Sequence, residues 1–235
     1  VNTGEVRALV TYPSYDNNKF SGTVDAAYYN KLNNDLSLPL FNNATQAQKA
    51  PGSTFKPIIA VAALEEKAVG LTETITCTGQ YGEITPHLRC WIYPGQHGPL
   101  DVEHGIMNSC NVFFAEMGHR LSMDENGSYT PELGIEKIRK YAAMFGLDET
   151  SGIEISEKPP QMTTEKPEAS SIGQGNNSYS NVQLARYITA IANKGNVFKL
   201  SLLDKVTDSQ GELLEDYTPQ LRSTVDVADS TWNVV

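Results

Sequence analysis

The stretch Pro51–Gly70, PGSTFKPIIAVAALEEKAVG, constrains this chain more than any other. From Phe55 to Leu64 every side chain except Lys56 is apolar, so a helix there has no polar face to turn toward water. Such a helix belongs inside a core, and the rest of the chain must cover it on all sides. The pattern predicts a helix over residues 53–69, stopped by Gly70. Its start is the anomaly. Ser53 and Lys56 stand about one helical turn apart, and a buried ammonium is costly unless it has a partner or a task.

Around this segment the chain reads as helices and short strands. Val6, Ala8 and Val10 alternate with Arg7, Leu9 and Thr11 before Pro13, which predicts an opening strand. Residues 28–43 read as helical pieces and loops, and residues 71–100, with Thr, Gly and Pro throughout, as loop. A second helical region covers 101–122, interrupted at NSCN. Leu133, Ile138, Tyr141, Ala142 and Phe145 predict a helix over 132–145, ended by Gly146. Residues 151–180, rich in Pro, Ser, Gly and Asn, predict a long surface loop, a place where function often resides. A helix follows over 181–194, then two strands over 197–214 joined at DSQG, and the chain ends in a polar stretch at STWNVV. Strands near both ends of a mostly helical chain predict one α+β domain over 1–235, a mainly antiparallel sheet flanked by helices.

Charge narrows the function. Eighteen Lys and Arg against 28 Asp and Glu leave a net charge of -10, which argues against nucleic acid as a partner. No run approaches the ~20 apolar residues of a membrane span, and no signal peptide is present. A chain opening directly on a strand is expected to be part of a longer one.

A serine hydroxyl is a poor nucleophile and needs a base. A lysine one turn along a helix, its pKa lowered by apolar surroundings, can supply one, and the helix N-terminus favours a developing alkoxide. The plainer alternative makes Ser53 a helix cap and lets Lys56 reach water along its stem. NSCN adds Ser109 and Asn111, two apart and on one side if the loop is extended. A hydroxyl and an amide there could relay a proton and hold a substrate amide, or they could simply cap the helix beginning at NVFF.

PGSTFKP and NSCNVFF resemble the first two active-site motifs of the penicilloyl-serine transferases, S-x-x-K and an S-D-N-type element. With ALVTYPSYD, PLFNNATQ, ITCTGQY, FGLDETSGIEI and IGQGNNSYSNVQLARYITAIANKG, nearly the whole chain is similar to the transpeptidase domain of monofunctional class B penicillin-binding proteins. The resemblance implies a β-lactamase/transpeptidase-like fold and a serine D,D-transpeptidase that cross-links peptidoglycan stem peptides ending in D-Ala-D-Ala. Ser53 would be the acylated nucleophile, Lys56 its base, and Ser109 and Asn111 would line the cleft. Gly173, Gln174 and Gly175 match a loop near the substrate; alternatively they form a tight turn before the 181–194 helix.

The resemblance also implies acylation by β-lactam antibiotics, cell-wall synthesis proteins as partners through regions outside this chain, no cofactor, and work at the outer face of the cytoplasmic membrane. An oxyanion hole of backbone N–H groups, Ser53's own among them, is expected by analogy. The third family motif, K-T-G, does not occur, so the domain is expected to be incomplete at its C-terminus and the chain alone inactive. Asn43 stands where relatives usually carry arginine. A β-lactam sensor domain and a serine β-lactamase share the fold, and a non-catalytic scaffold is a further alternative.

Cys77, Cys90 and Cys110 are an odd set. Free thiols, one disulfide, or a metal site from Cys77, His87, Cys90 and His97 all remain open, and the spacing matches no standard zinc pattern.

Overall fold

Burial of the apolar segment organises the molecule. In the computed structural model, which describes residues 1–235, Lys56–Glu65 form helix α2. Ile58, Ile59, Ala60, Val61, Ala62 and Ala63 have no solvent exposure. A 3-10 turn, Gly52–Phe55, leads into it, and Pro57 sits in the first turn, where a missing N–H costs little. The helix stops before Gly70: Lys67 adopts φ 56°, and the N–H groups of Ala68 and Val69 turn back onto the Ala63 carbonyl.

The other helices surround α2. The second helical region is α3 (Val102–Met107) and α4 (Asn111–Leu121), broken at the expected place. Next come α5 (Pro131–Met144), α6 (Pro167–Ser171) within the long loop, and α7 (Asn181–Ala192). Ser180 and Gln183 close the start of α7 with a reciprocal capping box. α2 packs on both α4 and α5, which also pack on each other, and α4 lies along α6. Phe113, Phe114, Met117, Ile138, Phe145 and Tyr187 complete a single large core with α2. Each such residue, fully buried, contributes about 1.5–3 kcal/mol relative to exposure. α1 (Ala26–Asn33) stands outside this core, with only Leu32 buried.

The strands form four separate two-stranded ladders, all antiparallel. They are β1 (Ile75–Cys77) with β4 (Gly98–Leu100), β2 (Gln80–Tyr81) with β3 (Leu88–Arg89), β5 (Asn196–Phe198) with β8 (Leu221–Thr224), and β6 (Lys205–Thr207) with β7 (Leu213–Asp216). The class is α+β, with no broad sheet. One expectation fails locally. The alternating residues 6–11 find no partner strand: only Glu5 bridges Ser201, and Val10 is 82% exposed. Toward the end of the chain stand β8 and the short helix α8 (Asp229–Trp232). No helix is long and apolar enough to cross a membrane.

Candidate active site

Ser53 is exposed in the 3-10 turn, while Lys56 is buried at 2% exposure. The Lys56 ammonium donates three hydrogen bonds: to the Ser109 carbonyl (2.7 Å), the Ser109 hydroxyl (3.1 Å) and Asn111 Oδ1 (2.8 Å). All three donors go to NSCN and none to Ser53, so Lys56 is the bolt between the two segments. Burial draws its pKa from 10.5 down to about 8, against the opposing influence of Cys110 and Cys90.

The NSCN corner is shaped by its own helix ends. Asn108 closes α3, and Cys110, not Ser109 or Asn111, caps α4, its sulfur accepting from the Phe113 N–H at 3.4 Å. Between them Ser109 is held at φ 49°, a conformation rare outside glycine, asparagine and aspartate. Asn111 begins α4 and donates its amide to the Arg89 carbonyl at 3.1 Å, tying the corner to β3. Ser53 is no cap either: Phe55 precedes α2 and no side chain caps it.

The Gly173–Gly175 turn lies against the first motif. Gly173, at φ 72°, accepts the Gly52 N–H at 2.9 Å, and Gly175 has φ 74°. Gln174 is exposed between them.

A cluster of metal-ligand side chains backs the site. Cys77, Cys90, His97 and Cys110 each place one ligand atom within 4.8 Å of all the others. The cysteines are free thiols. Cys90 Sγ lies 3.6 Å from His97 Nδ1 and 3.9 Å from Cys110 Sγ. Tetrahedral zinc with the usual Zn–S and Zn–N lengths requires edges of about 3.5 and 3.8 Å, so these residues fit that ion. His97 Nε2 is buried without a hydrogen-bond partner, which leaves the thiols as the ring's polar company. Of the expected ligands, His87 does not join. It is exposed on the β2–β3 connection, and Cys110 takes the fourth place. Chain spacing does not bring Cys110 into the set, because it stands in the second motif, 20 residues beyond Cys90. Glu168, Tyr129 and His119, hydrogen-bonded beside the site, had no sequence signal, being far apart in the chain.

All 235 residues match the family model for the penicillin-binding protein transpeptidase domain. The peptidoglycan D,D-transpeptidase MrdA of Haemophilus influenzae is 30% identical over 233 residues, covering 92% of this chain and 33% of that protein. A solved peptidoglycan synthase complex superposes with a TM-score of 0.84 at 27% identity, covering 99% of this chain and 39% of the other. Pseudomonas aeruginosa PBP2 gives 0.81 at 24% identity, over 98% of this chain and 52% of the other. The chain spans about a third of the length of the MrdA relatives it matches.

Proposed function

The chain belongs to the penicillin-binding protein transpeptidase family, and from that membership and the geometry around Lys56 we propose a serine D,D-transpeptidase acting on peptidoglycan stem peptides. Ser53 Oγ attacks the carbonyl carbon of the penultimate D-alanine, and its proton passes to neutral Lys56. The tetrahedral intermediate collapses, the C–N bond breaks, and the terminal D-alanine departs as an amine, protonated through Lys56 and Ser109. A primary amine of a second stem peptide then attacks the ester, forming the cross-link and returning a proton to Ser53. A β-lactam follows the first step, but its amine stays tethered and the ester persists.

One observation carries this reading: a buried lysine with a lowered pKa, three residues along the chain from an exposed serine and hydrogen-bonded to Ser109 and Asn111 of the second motif. At its ordinary pKa of 10.5 a lysine is neutral in about one molecule in three thousand at pH 7, but at about 8 in roughly one in ten. When Lys56 gives up a proton, the bond to the Ser109 hydroxyl, its longest, is the cheapest to reverse. Ser109 then donates to Lys56 and is placed to relay the proton. Asn111 holds the substrate amide, and the Gly173–Gly175 turn edges the binding cleft.

Cell-wall synthesis proteins are the expected partners, and the outer face of the cytoplasmic membrane the place of action. The Cys77, Cys90, His97 and Cys110 set offers four protein donors and no open position, which suits a structural zinc. Bound there, the ion would tie β1 and the loop before β4 to the start of α4.

Ser53→Ala in the full-length protein tests the proposal. Covalent labelling by a fluorescent penicillin is expected to disappear. Undiminished labelling would remove Ser53 from its role.

A further inference from the structure

Glu168 is a buried carboxylate that the reaction above does not use. It lies in α6 at 3% exposure, where a carboxylate without a cationic partner is costly. Oε1 accepts a hydrogen bond from the Tyr129 hydroxyl at 2.9 Å and lies 3.4 Å from His119 Nδ1. Oε2 takes no hydrogen bond from the protein, yet it is not sealed from solvent. No lysine or arginine pairs with the group; Lys166, exposed at the mouth of the adjoining cavity, forms no ion pair.

That cavity has a volume of about 700 Å³ and largely apolar walls, including Ile84, Leu88 and Ile172, with Glu168 among its lining residues. Two of its walls run into the active site. Leu88 precedes Arg89, whose carbonyl holds the Asn111 amide, and Gln174 follows Gly173, whose carbonyl holds the Gly52 N–H beside Ser53. A largely apolar cavity lined by a carboxylate with one oxygen free of protein hydrogen bonds suits one kind of side chain, an alkyl stem carrying a primary ammonium.

We propose that this cavity receives the amine-bearing side chain of the acyl-donor stem peptide, with the ammonium on Glu168 and the alkyl stem along Ile84, Leu88 and Ile172. The inference rests on the transpeptidase reading. A stem peptide able to act as acceptor carries an amine, so a donor of the same composition carries one too, and it needs a place. The attacking amine of the acceptor must be neutral and free to approach Ser53. An ammonium held on Glu168 is neither, which assigns the cavity to the donor.

The test uses full-length protein and two peptide thioester donors, with lysine or norleucine before the D-alanyl unit, read as kcat/KM for acylation. The lysine donor is expected to be at least about tenfold better, the scale of one charge-assisted hydrogen bond. In Glu168→Gln the ratio should fall to near one. Equal values for the two donors in the unaltered protein overturn the subsite but leave the proposed function standing, since both acylate. A preference that survives Glu168→Gln, or that appears only in the aminolysis step, overturns the assignment as well. Should Glu168→Gln fail to fold, Ile84→Lys on the β2–β3 connection supplies a competing ammonium and should also erase the ratio; a preserved ratio refutes the proposal. If neither donor nor penicillin acylates the protein, the transpeptidase reading falls, and this inference with it.

Discussion

Replacing Gly173 by alanine should disturb both the fold and the first motif, by an amount the geometry allows to be worked out. Its φ of 72° costs a residue with a Cβ about 1–2 kcal/mol. The added Cβ would also sit 1.9 Å from the Gly52 oxygen, 2.5 Å from its carbonyl carbon and 2.7 Å from its nitrogen. These are backbone atoms, so no rotamer change relieves the clash. The two loops must part, at about 1–3 kcal/mol for overpacking. The 2.9 Å bond from Gly52 N–H to the Gly173 carbonyl weakens with them, at about 1 kcal/mol. The sum is roughly 3–6 kcal/mol. Gly22→Ala provides the control, since its φ of 83° exacts the conformational cost while nothing lies within 4 Å of the new Cβ. At about 2–4 °C per kcal/mol for a chain of this size, Gly173→Ala should lower Tm by roughly 6–24 °C and Gly22→Ala by roughly 2–8 °C. Thermal denaturation followed by circular dichroism, beside the rate of penicillin acylation, measures both effects. Equal Tm losses for the two variants would refute the contact between the Gly173 turn and the first motif.

Ser180→Ala opens the capping box of α7 and should cost about 1 kcal/mol in a denaturant titration, with little effect on acylation. Burial tends to raise the Glu66 pKa, but hydrogen bonds from Lys140 (2.7 Å) and Tyr141 (3.0 Å) hold it below its ordinary 4.5. A depressed folded-state value stabilises above the unfolded-state value, and the stability is lost as pH falls through the folded one. Glu66→Gln should therefore reduce stability by up to about 1 kcal/mol at pH 7 and flatten its decline below pH 4.5, as read by urea midpoints across pH. Purified protein should carry about one zinc per chain by elemental analysis, lost with a fall in Tm on chelation or in Cys90→Ser but retained in His87→Ala. Retention in Cys90→Ser together with loss in His87→Ala would reverse the ligand assignment.

The interior position of α2 could be read from residues 55–64 because a helix without a polar face has one destination. The breaks at NSCN and Gly146 were equally legible, since capping residues and glycine act locally. The strands of residues 75–100 were not, because two- and three-residue strands are too short for alternation to show. Residues 6–11 mislead in the opposite way: they alternate, but pairing needs a neighbour and none is supplied. The site divides along the same line. Ser53 and Lys56 declare themselves by helical spacing. That Lys56 would give all its donors to Ser109 and Asn111, 53 and 55 residues away, is set by packing of α2 on α4. Cys110 joining Cys77, Cys90 and His97, and Glu168 meeting Tyr129 and His119, likewise depend on tertiary closure, which spacing along the chain does not encode.

The central claim is that buried Lys56 is the base for Ser53, and Lys56→Met tests it most directly, keeping most of the apolar stem and deleting the amine. Single-turnover acylation by penicillin is followed by intact-protein mass, with folding checked by the thermal melt. The account predicts a rate at least ~10²-fold below that of the unaltered protein, with the adduct still on Ser53. A folded Lys56→Met protein that acylates at the unaltered rate would make Lys56 a structural cation only and contradict the mechanism.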